Sequence, residues 1–433
     1  EGYEEDLKVI GRITRSGHKS IIEHDSIQLA ICDVTPIVEQ ILIGFRLTAF
    51  TIKSRRYVDF RNAGYYTPVF RNCDGTVHSE NEELTEKYQS HMNELFEEYS
   101  AMIDGGIPNE DARFLLPYSF YSNIFMTVSA RELEKMIVYL LYSRDAKIQE
   151  VHDLGEALLE IAKQHVPYIV SNIEKYVPKP LTYDYVSTLD TYRRDFPMLE
   201  KPMLIDYSLD PDELILETAI MSELQCTYEE AERIMEEAER EDPDFRAKYM
   251  EAIIKKPENR ELEQVSFTWQ IPISLSILTH LTRHRMHSLM VPSFVPLWNF
   301  RQYTIPETIR NSEFFERYQK AIAKNREMME EFKEAGVKEE DLVYFYLGCQ
   351  MCNVTTTMNG RELTWITRMR ACNRAQWQIR HIANSMIEDV KKVAPLLSRG
   401  LGPTCKVYRY CPEGRLSCGL IKEILAEDEK NLS

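Results

Sequence analysis

The feature that most constrains this chain is that its central unit is written twice. Residues 17–57 read GHKSIIEHDSIQLAICDVTPIVEQILIGFRLTAFTIKSRRY, and residues 258–293 read ENRELEQVSFTWQIPISLSILTHLTRHRMHSLMVPS. SFTWQI matches SIQLAI, and SLSILTHLTRHR matches TPIVEQILIGFR without a gap. A second pair of stretches, residues 111–141 and 341–371, aligns around a shared Arg-Glu-Leu at Arg131 and Arg361. A repeat distance of roughly 230 to 240 residues is too long for a solenoid, so it marks the tandem duplication of one domain.

Within a copy the local pattern is mixed. DSIQLAICDV alternates with period two and reads as a strand, whereas TPIVEQILIGFRLTAF has helical spacing opened by Thr35 and Pro36. Each Arg-Glu-Leu stretch reads as a strand running into a helix whose first turn carries the Arg and the Glu. The helical DLGEALLEIAKQHVPYIVSNIEKYV is followed by the proline-rich join PKPLTYDYVSTLDTYRRDFPMLEKP, and MLIDYSLDPDELI then opens the second copy as strand, turn and helix. The first copy lacks a counterpart of that opening strand. The charged stretch TYEEAERIMEEAEREDPDFRAKYMEAIIKK carries apolar residues at helical spacing and reads as a solvated helical face. The expected fold is α+β: two copies, 1–197 and 198–433, each a small twisted sheet packed with helices, forming an intramolecular pseudo-dimer.

Composition narrows the partners. Against 52 basic residues stand 69 acidic ones, a formal charge of −17, which argues against a phosphate-backbone binder. No apolar run is long enough to cross a bilayer, and the charged opening EGYEEDLKVIGRITRSGH is no secretory signal. Nine irregularly spaced cysteines then read as reduced thiols of a cytoplasmic protein. Cys349 and Cys352 form a CxxC inside an apolar stretch and read as core. Cys405, Cys411 and Cys418 fall in the Gly/Pro-rich GPTCKVYRYCPEGRLSCG, with Cys372 upstream, and four thiols suit a tetrahedral structural zinc.

Chemistry concentrates in RHRMHSLMVPS, where Arg283, His284 and Arg285 follow an apolar run and Ser293 comes after seven further residues. Positive charge at the end of a buried element needs an anionic partner. A solvated basic turn, a nucleic-acid patch and a pocket for a phosphorylated small molecule are three readings of it.

This motif, RHR with Ser after seven residues, is the signature of the flavin-dependent (alternative) thymidylate synthases, which the chain resembles well beyond it. In that family each active site of a homotetramer draws on several subunits, and the resemblance implies that the two copies here divide those contributions. The second copy resembles the flavin side. It keeps Arg283, His284 and Arg285, Ser288 and Ser293, the Asn-x-Arg of Asn359 and Arg361 expected at FAD, and Arg370 as the late-helix Arg expected at the base. Where Ser-x-Arg-Tyr is expected it has Ser293, Val295 and Pro296, and the upstream phosphate Arg is Val343. The first copy is the reverse. Its RHR position is Gly44-Phe45-Arg46 and its late-helix Arg is Leu140, yet Ser54-Arg55-Arg56-Tyr57 and the upstream Arg113 are intact. His18 matches a flavin-contacting His, and Glu23-His24 an EH pair.

The resemblance implies one composite site per chain, with Ser54, Arg56 and Arg113 on the phosphate, Arg283, Arg285, Arg361 and Arg370 on flavin and base, and Ser293 on the substrate. It further implies reductive methylation of uracil C5 in dUMP, with methylenetetrahydrofolate giving the carbon and FAD reduced by NADPH the hydride, in a homodimer of chains. Arg283 and Arg370 are the candidates for polarising the uracil. Departures at His280, Ile52, Lys135 and Trp365 leave another pyrimidine nucleotide open, and a non-catalytic flavin- or nucleotide-binding role is the remaining alternative.

Overall fold

The computed structural model describes residues 2–179, 188–189, 191–192, 194, 196–295 and 301–432. Part of the proline-rich join, and Pro296, therefore lie outside the described residues. The architecture is α+β, with two small antiparallel sheets each backed by helices.

The chain divides into two compact units. One comprises residues 1–197, 274–276 and 293–351, the other residues 198–273, 277–292 and 352–433. Repeat and compact unit are thus different things, because residues 293–351 of the second copy pack in the first unit.

The first unit opens with α1 (Gly2–Arg15) and then β1 (Ser26–Val34), as the alternation predicts. The expected helix after β1 is cut short: α2 spans only Pro36–Leu42, and the chain turns through Gly44 into β2 (Ala49–Ile52). Glycine inside a helix costs about 1 kcal/mol relative to Ala. The residues beyond it gain more by pairing with β3 (Ser122–Ser129), Ala49 opposite Thr127 and Ile52 opposite Ile124. The sheet order is β1-β3-β2. β3 leads into a helix, Ala130–Tyr142, whose first turn is capped by Ser129 accepting from the Glu132 N–H at 3.3 Å.

The core of this unit also holds a helix pair. Asn81–Asp104 packs against Phe315–Glu334, the two apolar stripes meeting through Phe70, Phe332 and Phe345, with ring centroids 5.0 Å and 5.2 Å apart. The buried His91 Nε2 and Asn325 Oδ1 hydrogen-bond across the seam at 2.9 Å, and Asn325 also donates to the Phe345 carbonyl at 2.7 Å. The exposed Lys87–Glu331 and Arg317–Glu98 pairs, both at 3.0 Å, add at most about 1 kcal/mol each, so the aromatic seam dominates.

The second unit is a four-stranded sheet in the order β4-β5-β7-β6, made of Met203–Tyr207, Ser266–Ser274, Met351–Asn359 and Ser288–Met290. Its extra edge strand β4 has no counterpart among the described residues of the first sheet. The charged stretch after residue 226 is two helices, Tyr228–Glu241 and Phe245–Lys255, because Pro243 cannot continue the first. A capping box of Thr227 and Glu230 starts it. β7 runs into the helix Gly360–Arg370, with Asn359 accepting from the Glu362 N–H at 2.8 Å.

Phe332→Ala removes the ring shared by Phe70 and Phe345 and is expected to cost about 3–5 kcal/mol, as for other buried Phe truncations. Urea unfolding measures this; a loss below about 1 kcal/mol would show that the seam does not hold the first unit together.

Candidate functional site

In the first unit a group of guanidiniums gathers below the end of β2. Ser54 closes a turn by accepting from the Arg56 N–H at 3.3 Å. The turn sends Arg55 inward, where it pairs with the buried Glu39 of α2, a carboxylate that also accepts from the Ser122 hydroxyl at 2.9 Å. Arg56 stays half-buried and pairs with Glu110. Arg113, 3% exposed, donates to the Glu110 carbonyl at 3.1 Å. Burial first, then the charges of the neighbouring Arg55 and Arg56, lower Arg113 from its usual 12.5 to about 9. Three guanidiniums lie here with the carboxylates of Glu39, Glu110 and Asp111, and Arg56 and Arg113 are the donors that a phosphate could engage in exchange for Glu110.

The repeat counterparts have become core. Ser293 makes the same turn, accepting from the Val295 N–H at 3.3 Å, but Phe294 stands where Arg55 stands and is buried. Val343, at the place of Arg113, is fully buried too.

In the second unit the RHR segment follows the helix Leu275–Thr282. Arg283 and Arg285 are exposed, while His284 is only 4% exposed. The Arg370 Nε–H donates to His284 Nε2 at 2.9 Å, so that nitrogen is unprotonated and Nδ1 carries the hydrogen, facing Glu362 at 3.7 Å. Burial first, then the charges of Arg370, His287 and Arg283, depress His284 to about 3. Burial raises Glu362, and one of its oxygens has no hydrogen-bond partner. The sequence expectation placed His284 on the flavin. In the structure the ring is buried, and as a neutral acceptor with Arg370, His287 and Arg283 around it, it orients the Arg370 guanidinium.

Here also the counterparts are apolar. Phe45, at the His284 position, packs edge-on against Tyr139 with centroids 5.8 Å apart, and Leu140, at the Arg370 position, is fully buried.

Other expected residues are placed as follows. The Asn359 side-chain oxygen is used as a helix cap, leaving its amide N–H groups for a ligand. Arg361 pairs with Glu263 at 2.6 Å. His18 is exposed in the turn after α1, and Glu23 pairs with Arg131. Cys349 and Cys352 are core, their thiols pushed up to about 12 by burial. Cys405 is buried, and Cys372, Cys411 and Cys418 are half-buried. Sequence reasoning missed Arg55, Glu39 and Glu110. A Glu inside the apolar PIVEQIL was the available signal, since a buried carboxylate demands a cation.

A flavin would suit the second set by its chemistry. Exposed planar guanidiniums at Arg283 and Arg285, and the amide donors of Asn359, are the groups that hold pyrophosphate oxygens and ring carbonyls.

The family model described as "Thymidylate synthase complementing protein" matches the chain twice, over residues 2–168 and 203–396. The flavin-dependent thymidylate synthase of Clostridium tetani is 33% identical over 244 residues, covering 52% of this chain and 95% of that protein. The enzyme of the same name from Pyrococcus abyssi is 31% identical over 225 residues, covering 49% and 89%. A crystal structure of PolB, a UMP/dUMP methylase from Streptomyces cacaoi bound with 5-bromo-dUMP, is 23% identical and covers 40% of this chain and 80% of that one. Its TM-score is 0.36, a likeness too slight to argue from.

His284 generates a pH prediction. Its pKa in the fold, about 3, lies below the ordinary 6.5, so the unfolded chain takes up the extra proton between those values. Its contribution to stability is complete above pH 6.5 and is lost as pH falls toward 3. His284→Gln keeps an acceptor for Arg370 but cannot titrate, so denaturant unfolding between pH 7 and 4 should lose stability less steeply than wild type. Equal slopes would contradict a buried neutral imidazole.

Proposed function

Because the chain belongs to the flavin-dependent thymidylate synthase family, whose domain it carries twice, we propose that this methyltransferase reductively methylates C5 of a uracil nucleotide, dUMP by default. Methylenetetrahydrofolate provides the carbon and NADPH the reducing equivalents, FAD is the cofactor, and each chain has the residues for one working site. The observation that carries this reading is the complementary loss. Arg55, Arg56 and Arg113 are cationic where their counterparts are Phe294, Val295 and Val343, and the His284–Arg370 pair stands where the other copy has Phe45 and Leu140. Decay without selection would not spare opposite halves of one constellation.

In this reading Ser54, Arg56 and Arg113 bind the nucleotide phosphate. Their donors are oriented beforehand by the Ser54 turn and by Glu110, so little ordering entropy remains to be lost on binding. Arg370, held by His284, and Arg283 polarise the uracil carbonyls and stabilise negative charge as it develops on the ring. Arg285, Asn359, Arg361 and His18 hold FAD, with Ser293 on the nucleotide. FAD, once bound and reduced by NADPH, would supply the hydride. No cysteine nucleophile is required, and neither phosphate-side serine has a neighbouring Cys in sequence. Two chains form a homodimer.

The test is transfer of isotopic carbon from labelled methylenetetrahydrofolate to dUMP with NADPH and FAD, UMP being run in parallel. Arg113→Ala should raise KM for the nucleotide about 10- to 100-fold, the worth of a hydrogen bond to a charged group. Arg370→Ala should lower kcat, whereas Arg46→Ala, in the degenerate RHR position, should leave both within about 2-fold. Turnover of UMP alone would replace dUMP as substrate, and no turnover of either would favour a non-catalytic role.

A further inference from the structure

The C-terminal segment poses a problem that hydrophobic burial does not solve. From Arg409 to Leu420 every residue is solvent-exposed except Cys411 and Cys418, and Tyr410, Leu416 and Leu420 all face water. An apolar core therefore cannot be what fixes this stretch. Its backbone is nevertheless tightly folded. Arg409, Gly414 and Gly419 take left-handed conformations, with φ of 60°, 51° and 80°, and so turn the chain back on itself around the two inward thiols.

The same fold brings up two more thiols. Cys405 is buried on the short helix Thr404–Tyr408, and Tyr408, one turn later, lies under the Arg368 guanidinium at 4.7 Å. Arg368 is in the last turn of Gly360–Arg370, and Cys372 follows that turn. The Arg374 N–H donates to Cys372 Sγ at 3.5 Å, a backbone-to-sulfur bond of the sort that steadies metal-bound thiolates. Cys372, Cys411 and Cys418 all act electrostatically on Cys405, which requires them to be close.

A second observation points to a ligand. Arg368 Nε and Nη2 are buried and lack any hydrogen-bond partner. The half-buried Arg368, which rests on the Tyr408 ring, would gain further from negative charge nearby, and four neutral thiols offer none.

We propose that Cys372, Cys405, Cys411 and Cys418 form a four-thiolate site for a structural divalent metal of the zinc class, whose net negative charge answers Arg368. Binding releases one proton from each thiol to solvent and forms four metal–sulfur bonds, with no change of oxidation state. Among the described residues no three of these sulfurs lie within 4.8 Å of one another, so the site closes by rotation of the cysteine side chains between staggered χ1 wells. The trio that does meet that distance, His152, Asp153 and Glu156, is half-buried to exposed on a single helix and carries no comparable unanswered charge.

The experiment uses the full chain, purified under reducing conditions. Metal is quantified by mass spectrometry, then removed and replaced by cobalt(II). The expected result is about one zinc per chain and, with cobalt, the intense visible bands of tetrahedral thiolate coordination. Cys411→Ser and Cys418→Ser should each cut metal content at least about 10-fold while leaving flavin binding intact. The proposal is overturned if the reduced wild-type chain takes up no cobalt. It is equally overturned if the four thiols remain paired as disulfides in reducing buffer, or if bound metal survives both serine variants and is lost in His152→Ala.

Discussion

Burying a positive charge is the constraint on which this protein depends. An ion moved from water into a protein interior loses several kcal/mol of solvation unless an opposite charge or a set of hydrogen bonds replaces it. The chain meets that requirement in two ways. Arg55 is answered by Glu39, itself held by Ser122, and this pair supports the more crowded Arg56 and Arg113. Arg370 is answered by a neutral acceptor, His284, whose burial and cationic neighbours keep it unprotonated. In the first case carboxylates hold the guanidiniums in place; in the second a neutral ring nitrogen orients the Arg370 guanidinium.

The same constraint explains how the copies diverged. Once an arginine no longer meets a ligand, keeping it buried costs stability with no return, and an apolar side chain of similar size is favoured. Phe294, Val343 and Leu140 are that outcome at three counterpart positions, all fully or nearly sealed from solvent, and Phe45 stands where the other copy has His284. The Ser293 turn persists although its Arg has gone, because the turn is a backbone device that serves the fold as well as the ligand.

Much of this was legible in the sequence, for identifiable reasons. Strand alternation gave β1, and the two Arg-Glu-Leu stretches marked the first turns of their helices. The end of α2 at Leu42 was hidden, since TPIVEQILIGFRLTAF keeps helical spacing past Gly44, and only pairing with β3 decides between helix and strand. The packing of residues 293–351 in the first unit was equally hidden. Periodicity shows that Phe332 lies on an apolar stripe, but not that Phe70 and Phe345 are what it meets. Within the candidate sites the motif residues were legible and their supports were not. Arg55 sits between two recognised positions, and its importance emerges only when Glu39 is found beside it. His284 reads as a ligand contact in a motif, and its hydrogen bond to Arg370 emerges only in three dimensions.

The central claim is that duplication left one working complement of residues in each chain. The most direct measurement is the flavin bound per chain, from visible absorbance against protein concentration after saturation with FAD. The account predicts one. Two per chain would mean that the Gly44-Phe45-Arg46 side still binds the cofactor, and the division of labour between the copies would be wrong.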